Sequence, residues 1–197
     1  MNAGGFLHHD DLDAYESCLR DAAAWFPHDL RICEIGTWSG HSSRSVNAAL
    51  NGFGVSAYEH WCVDNRIEAN GCWEQPFPGA LCVWKDSSEA AAEVSDNLGL
   101  VLVDGCHCLQ HVLMDFALYA PKIRKGGLIL FHDVNEKSQG TQYQNHGDRT
   151  RLESHISVRS ALATLGLMPL LRGDWNRHII GGTGETWWGQ MAAFQKA

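Results

Sequence analysis

The chain has 197 residues, 45% of them hydrophobic and 19% charged, a composition that fits one globular domain with its own core and excludes a disordered chain. Its 15 basic and 23 acidic residues give a formal net charge of -8. This excludes a nucleic-acid polyanion as main partner, because phosphate binding needs a basic face, and no run approaches the roughly 20 apolar residues of a membrane span.

The opening segment, Met1 to Asp11, lacks the basic and apolar regions of a secretory signal. The seven cysteines, Cys18, Cys33, Cys62, Cys72, Cys82, Cys106 and Cys108, form no C-x-x-C pair. A reduced, cytoplasmic chain is expected, with most thiols serving as small core residues.

From Asp10 to Phe26, Leu12, Tyr15, Leu19, Ala22, Ala23 and Phe26 recur at helical spacing, which predicts an amphipathic helix laid against a sheet. Then, from about residue 30 to 134, short apolar runs alternate with longer amphipathic ones, the pattern of a parallel sheet covered by helices. Predicted strands are Arg31 to Ile35, Ser56 to Val63, Ala80 to Trp84, Leu100 to Val103 and Leu128 to Phe131; predicted helices are Ser42 to Leu50, Glu89 to Leu98 and Leu109 to Arg124. Leu100 to Val103 and Leu128 to Phe131 are continuous apolar runs, as expected of strands buried on both faces.

Glu136 to Ser154 is polar, without periodicity, and reads as a long functional loop. A helix from Ile156 to Leu165 follows, then closing strands at Met168 to Leu171, Arg177 to Ile180 and Trp187 to Met191, with an edge-hairpin turn at residues 181 to 184. The expected class is α/β, a doubly wound, mostly parallel sheet with an antiparallel C-terminal edge hairpin. One domain spans residues 1–197: a helical segment at 1–29, a cofactor-binding core at 30–134, and a substrate loop with closing strands at 135–197.

Glu34-Ile-Gly36-Thr37-Trp-Ser-Gly40-His-Ser42-Ser43 occupies the turn from the first strand into the first core helix. Glycines there let backbone approach a ligand closely, and Ser42 or Ser43 can cap the helix. The spacing is not the Gly-x-Gly-x-x-Gly of dinucleotide pyrophosphate sites. If the ligand carries a ribose, a carboxylate should end the second strand; Glu59 and Asp64 compete for that place, and Asp64 closes the apolar segment. Asp86-Ser87-Ser88-Glu89 follows the third strand and also has the form of a capping box.

Asp104-Gly105-Cys106-His107 leaves the fourth strand and His132-Asp133 leaves the fifth. Ligands collect outside the carboxyl ends of parallel strands, so Asp104, His107, His132 and Asp133 should converge. Two aspartates aimed at one point repel each other, and a divalent cation relieves that repulsion. Cys106, Cys108, His107 and His111 leave a softer, zinc-like set conceivable, with the two histidines four apart on a helix.

Glu34-x-Gly36-x-x-x-Gly40 resembles motif I of the class I methyltransferases, whose acidic residue and glycines surround the methionine and ribose of S-adenosylmethionine. Asp104-Gly-x-His107, Val112, Asp115, Pro121, Gly126-Gly127 and His132-Asp133 resemble a family of small-molecule and sugar O-methyltransferases. Its relatives are the macrocin-type enzymes and, more distantly, cephalosporin hydroxylase-like proteins and catechol methyltransferases. The likeness covers about residues 31 to 134. It implies S-adenosylmethionine as cofactor, with candidate contacts at Glu34, Gly36, Thr37, Gly40, Ser42, Asp64, Asp86, Ser87 and Asp104. It also implies a divalent metal on Asp104, Asp133 and His132, magnesium or manganese by oxygen ligation with a transition metal conceivable, and His107 as general base. The expected partner is a small-molecule hydroxyl substrate; a homo-oligomer is compatible with the chain. A metal-dependent hydroxylase or hydrolase on the same scaffold, or a non-catalytic adenosyl-ligand module, are the rival readings.

Overall fold

The computed structural model describes residues 9–65, 75–134, 153–167, 175–181 and 191–197. Its strands are β1 (Leu30–Ile35), β2 (Tyr58–Val63), β3 (Leu81–Val83), β4 (Leu98–Val103), β5 (Ile123–Phe131), β6 (Trp175–Gly181) and β7 (Met191–Lys196). The helices are α1 (His9–Trp25), α2 (His41–Gly52), α3 (Ser87–Ala90), α4 (Leu109–Tyr119) and α5 (Glu153–Thr164). The strands form one sheet in the order β3-β2-β1-β4-β5-β7-β6. β1 to β5 pair in parallel, whereas β7 runs antiparallel to both β5 and β6. The doubly wound, mostly parallel sheet and its antiparallel C-terminal edge are thus as expected.

Alternation along the central strands splits the core into two layers. Leu30 and Ile32 of β1, Leu100 and Leu102 of β4, and Leu128 and Leu130 of β5 pack with Tyr15, Cys18, Leu19 and Ala22 of α1 and Val46 and Leu50 of α2. The residues between them, Cys33, Ile35, Val101, Val103, Ile129 and Phe131, join Val112 and Tyr119 of α4 and Val158 and Leu162 of α5 on the opposite face. Helices on both faces explain why β4 and the Leu128 to Phe131 stretch of β5 are apolar without a polar side. No helix among the described residues is long and apolar enough to cross a membrane.

Three predicted elements differ. The helix expected at Glu89 to Leu98 is only the four-residue α3, followed by turns; Asn97 takes a positive φ of 62° and β4 starts at Leu98. The helix expected to run to Arg124 stops at Tyr119, with Ala120–Lys122 as a 3-10 turn containing Pro121, and Ile123 already opens β5. Proline lacks the N–H that a continuing helix requires. The last strand begins at Met191 instead of ending there, because Met191 to Phe194 are the buried residues that pair with β5 and β6. Glu153 and Ser154, expected to end the long loop, already belong to α5; the rest of that loop, the strand expected at Met168 to Leu171, and residues 182–184 and 187–190 lie outside the described residues.

The order also fixes where a ligand can sit. From β1 the chain moves to β2 on one side, while β4 lies on the other, so the crevice opens between the carboxyl ends of β1 and β4.

Candidate active site

The strand ends are stitched together one residue past their last ladder pairs. Gly36 N–H donates to Val63 O at 2.8 Å, Asp104 N–H to Ile35 O at 2.9 Å and His132 N–H to Val103 O at 3.1 Å. Residues that merely follow apolar runs in sequence are therefore held in one row at the mouth of the crevice.

Gly36 has φ +89°, and a Cβ there would stand 2.2 Å from the backbone oxygen of Asp104. No other residue fits this close crossing of β1 and β4. Thr37 Oγ1 donates to Val63 O at 3.0 Å, and Trp38 N–H donates to Asp64 Oδ2 at 2.6 Å. Asp64 thus sits at the carboxyl end of β2, holding the loop of residues 36–40. Glu59 lies at the amino end of that strand, beside Arg31 and Ser95, so Asp64 is the carboxylate that faces the crevice mouth. Gly40, at φ 72°, is the N-cap of α2, which has no side-chain cap. Ser42 is half-buried in the first turn, and Ser43 turns inward instead of capping.

Glu34 has a different fate. It is 1% exposed and receives hydrogen bonds from Tyr15 Oη at 3.0 Å and from Ser43 Oγ, with His60 Nε2 at 3.1 Å. These partners come from α1, α2 and β2, so the carboxylate anchors the motif from behind.

Asp86 caps α3, accepting from Ser88 N–H at 3.1 Å, and Asn65 Nδ2 donates to it at 3.3 Å. Ser87 Oγ donates to Asp115 Oδ1 at 2.6 Å. Burial pushes the Asp115 carboxyl up to about 7, against the opposing Ser87 hydrogen bond.

Asp104, His107, His132 and Asp133 do converge: one ligand atom from each lies within 4.8 Å of the others. His132 Nδ1 is 2.9 Å from Asp104 Oδ1 and 3.6 Å from Asp133 Oδ1. His107 places Nε2 3.3 Å from Asp104 Oδ1 and Nδ1 3.1 Å from Asp133 Oδ2. Asp133 adopts φ 58°, a left-handed conformation that aspartate tolerates better than most residues. His107 stands ahead of α4, not on it, so the expected helical pairing of His107 with His111 does not form.

The sequence did not point to Asp11. It lies on α1, 1% exposed, with Oδ2 3.4 Å from His132 Nε2 and a buried Oδ1 that has no hydrogen-bond partner among the described residues. The cluster therefore holds three carboxylates around two imidazoles. Burial would lower both histidines, but Asp133 and Asp104 outweigh it and raise His107, and Asp104 and Asp133 raise His132 further. Burial would likewise raise Asp104, yet the His132 charge and the hydrogen bonds from both histidines hold it well below the usual carboxylate range. The carboxylates around His107 thus bias it toward its protonated form.

A family of methyltransferase domains matches residues 33–134, more than half of the chain. No curated protein matches significantly. Among solved structures, a Staphylococcus aureus protein assigned as a caffeoyl-CoA O-methyltransferase shares 14% identity, with a TM-score of 0.69 and coverage of 98% of this chain and 87% of that one. The O-methyltransferase TomG of Streptomyces achromogenes, from tomaymycin synthesis and in complex with SAM, shares 17% identity, with a TM-score of 0.64 and coverage of 93% and 80%. MycE of the mycinamycin pathway, in complex with Mg, SAH and mycinamycin VI, shares 16% identity, with a TM-score of 0.60; 98% of this chain matches 51% of that one.

Proposed function

The chain belongs to the methyltransferase domain family, and from that premise we propose that it transfers a methyl group from S-adenosylmethionine to a hydroxyl of a small molecule or sugar, with a divalent metal at the acceptor end. The observation that carries the acceptor site is the convergence of Asp104, His107, His132 and Asp133 beside the β1–β4 crevice. SAM in TomG and Mg in MycE are consistent with it.

S-adenosylmethionine would bind outside the carboxyl ends of β1 and β4, with Asp64 the candidate for its ribose hydroxyls and Asp86 and Ser87 the candidates for its base. Thr37, Gly40 and Ser42 shape the loop, and Glu34 supports that loop through Ser43. The sulfonium group, when bound, supplies an already activated methyl, so the protein has mainly to orient and deprotonate the acceptor.

The donor set fits a divalent cation. Three carboxylates surround two imidazoles, and an ion would supply positive charge that offsets their mutual repulsion. Asp104, Asp133 and Nδ1 of His132 would hold it, while Asp11 fixes the proton on His132 Nε2, a carboxylate–histidine arrangement that orients metal ligands. Mixed oxygen and nitrogen donors suit manganese better than magnesium. When bound, the ion supplies positive charge that polarises a hydroxyl oxygen. In its neutral form His107 would accept the hydroxyl proton at Nε2, on the side of the partly exposed Asp104, with Nδ1 turned to buried Asp133. Residues 136–152 and the aromatic C-terminal segment are proposed to contact the substrate.

Calorimetry with S-adenosylmethionine and its demethylated product, each with and without manganese or magnesium, tests the reading. Both ligands are expected to bind, and Asp64→Ala to bind more weakly. Absence of binding to the intact protein would remove the cofactor, and full methyl transfer in excess chelator would remove the metal.

A further inference from the structure

The segment that carries Asp104 and His107 to the carboxylate cluster sends its other side chains elsewhere. Cys106 Sγ lies 3.3 Å from Cys108 Sγ, and Cys108 Sγ lies 2.6 Å from His111 Nδ1. One ligand atom from each of the three is within 4.8 Å of the others. Two thiolates on one tetrahedral zinc stand about 3.8 Å apart given Zn–S bonds near 2.3 Å, so small side-chain rotations suffice to admit an ion. The backbone is already set. Cys108 is the N-cap of α4, its side chain makes no capping bond, and the first helical turn carries no acid. His111 follows within the first turn, on the same face as Cys108.

Another grouping, Glu34, His60 and Cys62, is fully buried, and its carboxylate is already bonded to Tyr15 and Ser43. By contrast, Cys106 and His111 are only partly buried, which leaves a path for an ion and a solvent ligand.

We infer that Cys106, Cys108 and His111 form a second metal site, for a thiophilic divalent ion such as zinc, next to the carboxylate–imidazole cluster and separate from it in ligand chemistry. Thiolate and imidazole donors select zinc over magnesium or manganese. Three protein ligands leave one position open. Because Cys106 and Cys108 flank His107, an ion on the two thiolates also fixes the backbone on both sides of the candidate base.

The test uses reduced, chelator-stripped, full-length protein titrated with cobalt(II), then with zinc in competition. One equivalent is expected to produce a thiolate-to-cobalt charge-transfer band that the double variant Cys106→Ser/Cys108→Ser lacks and that Asp104→Asn/Asp133→Asn keeps. Zinc affinity is expected to fall more than about 100-fold in Cys108→Ser, beyond the loss usual for an outer-shell partner. On unsubstituted protein, zinc is expected to protect the peptide carrying Cys106 and Cys108 from alkylation at least about 10-fold, a readout independent of whether the variants fold. Absence of the band and of protection in the intact protein, or a band unchanged in a folded double serine variant, would overturn the site and leave a thiol–imidazole hydrogen bond.

Discussion

Glu34 and Asp104 are acidic residues on neighbouring parallel strands, and both belong to the motifs that point to the cofactor. Glu34 pairs with Leu102 within the ladder, whereas Asp104 lies just beyond the last pair, Ile35 with Val103. That offset of two residues decides their roles. Glu34 falls in the α1–α2 layer, where Tyr15, Ser43 and His60 surround it. The Asp104 side chain stays 17% exposed at the crevice, facing two histidines. A carboxylate inside the sheet becomes a fastener, and one at its edge remains open to chemistry.

The sharpest break of that comparison is substitution of each acid. Glu34→Ala strands the Tyr15 hydroxyl, Ser43 and His60 in the core and is expected to destabilise by about 3–5 kcal/mol, the usual result of removing one partner from a buried charged network. Asp104→Asn should cost much less stability, since Asp133 and Asp11 still face His132, while lowering methyl transfer more than about 100-fold. Denaturant unfolding and single-turnover rates on both variants measure the contrast; equal stability losses would erase it.

Asp115 is an intermediate case, buried on α4 yet bonded to Ser87 beside the proposed base-binding region. With its carboxyl raised to about 7 from an unfolded value near 3.9, the folded chain keeps a proton that the unfolded chain releases. Its stabilising effect is fully present below about pH 4 and is lost as pH rises toward 7. Asp115→Asn should therefore flatten the stability slope across that window and raise stability at pH 8 by on the order of a few kcal/mol. An unchanged slope would assign the pH dependence to other groups.

A smaller effect is expected at Asp11, which acts through His132. Asp11→Asn should weaken manganese binding about 10- to 100-fold while leaving S-adenosylmethionine affinity in the absence of metal unchanged; loss of both would make Asp11 a folding residue. Smallest is Tyr15→Phe, which removes one of several donors to Glu34. A loss of about 1–2 kcal/mol in thermal or denaturant unfolding, with normal turnover, is expected.

The sequence by itself determined the strands of the parallel core and the residues that leave them. Continuous apolar runs such as Leu100 to Val103 and Leu128 to Phe131 can satisfy both of their faces only inside a sheet covered on two sides. The polar residues that end such runs are then forced to the carboxyl edge, which is why Asp104, His107, His132 and Asp133 were legible as one site. Tertiary structure alone decided the rest, because periodicity records which face a residue takes but not which distant chain segment covers it. Asp11 reaches His132 across 121 positions of sequence through the packing of α1. Glu34 is closed off by Tyr15 from that same helix, and the protonation bias of His107 comes from carboxylates contributed by β4 and β5. Helix ends depart from the local pattern where a long-range demand competes with it: the residues from Ile123 have helical neighbours in sequence, but strand partners in β4 claim them.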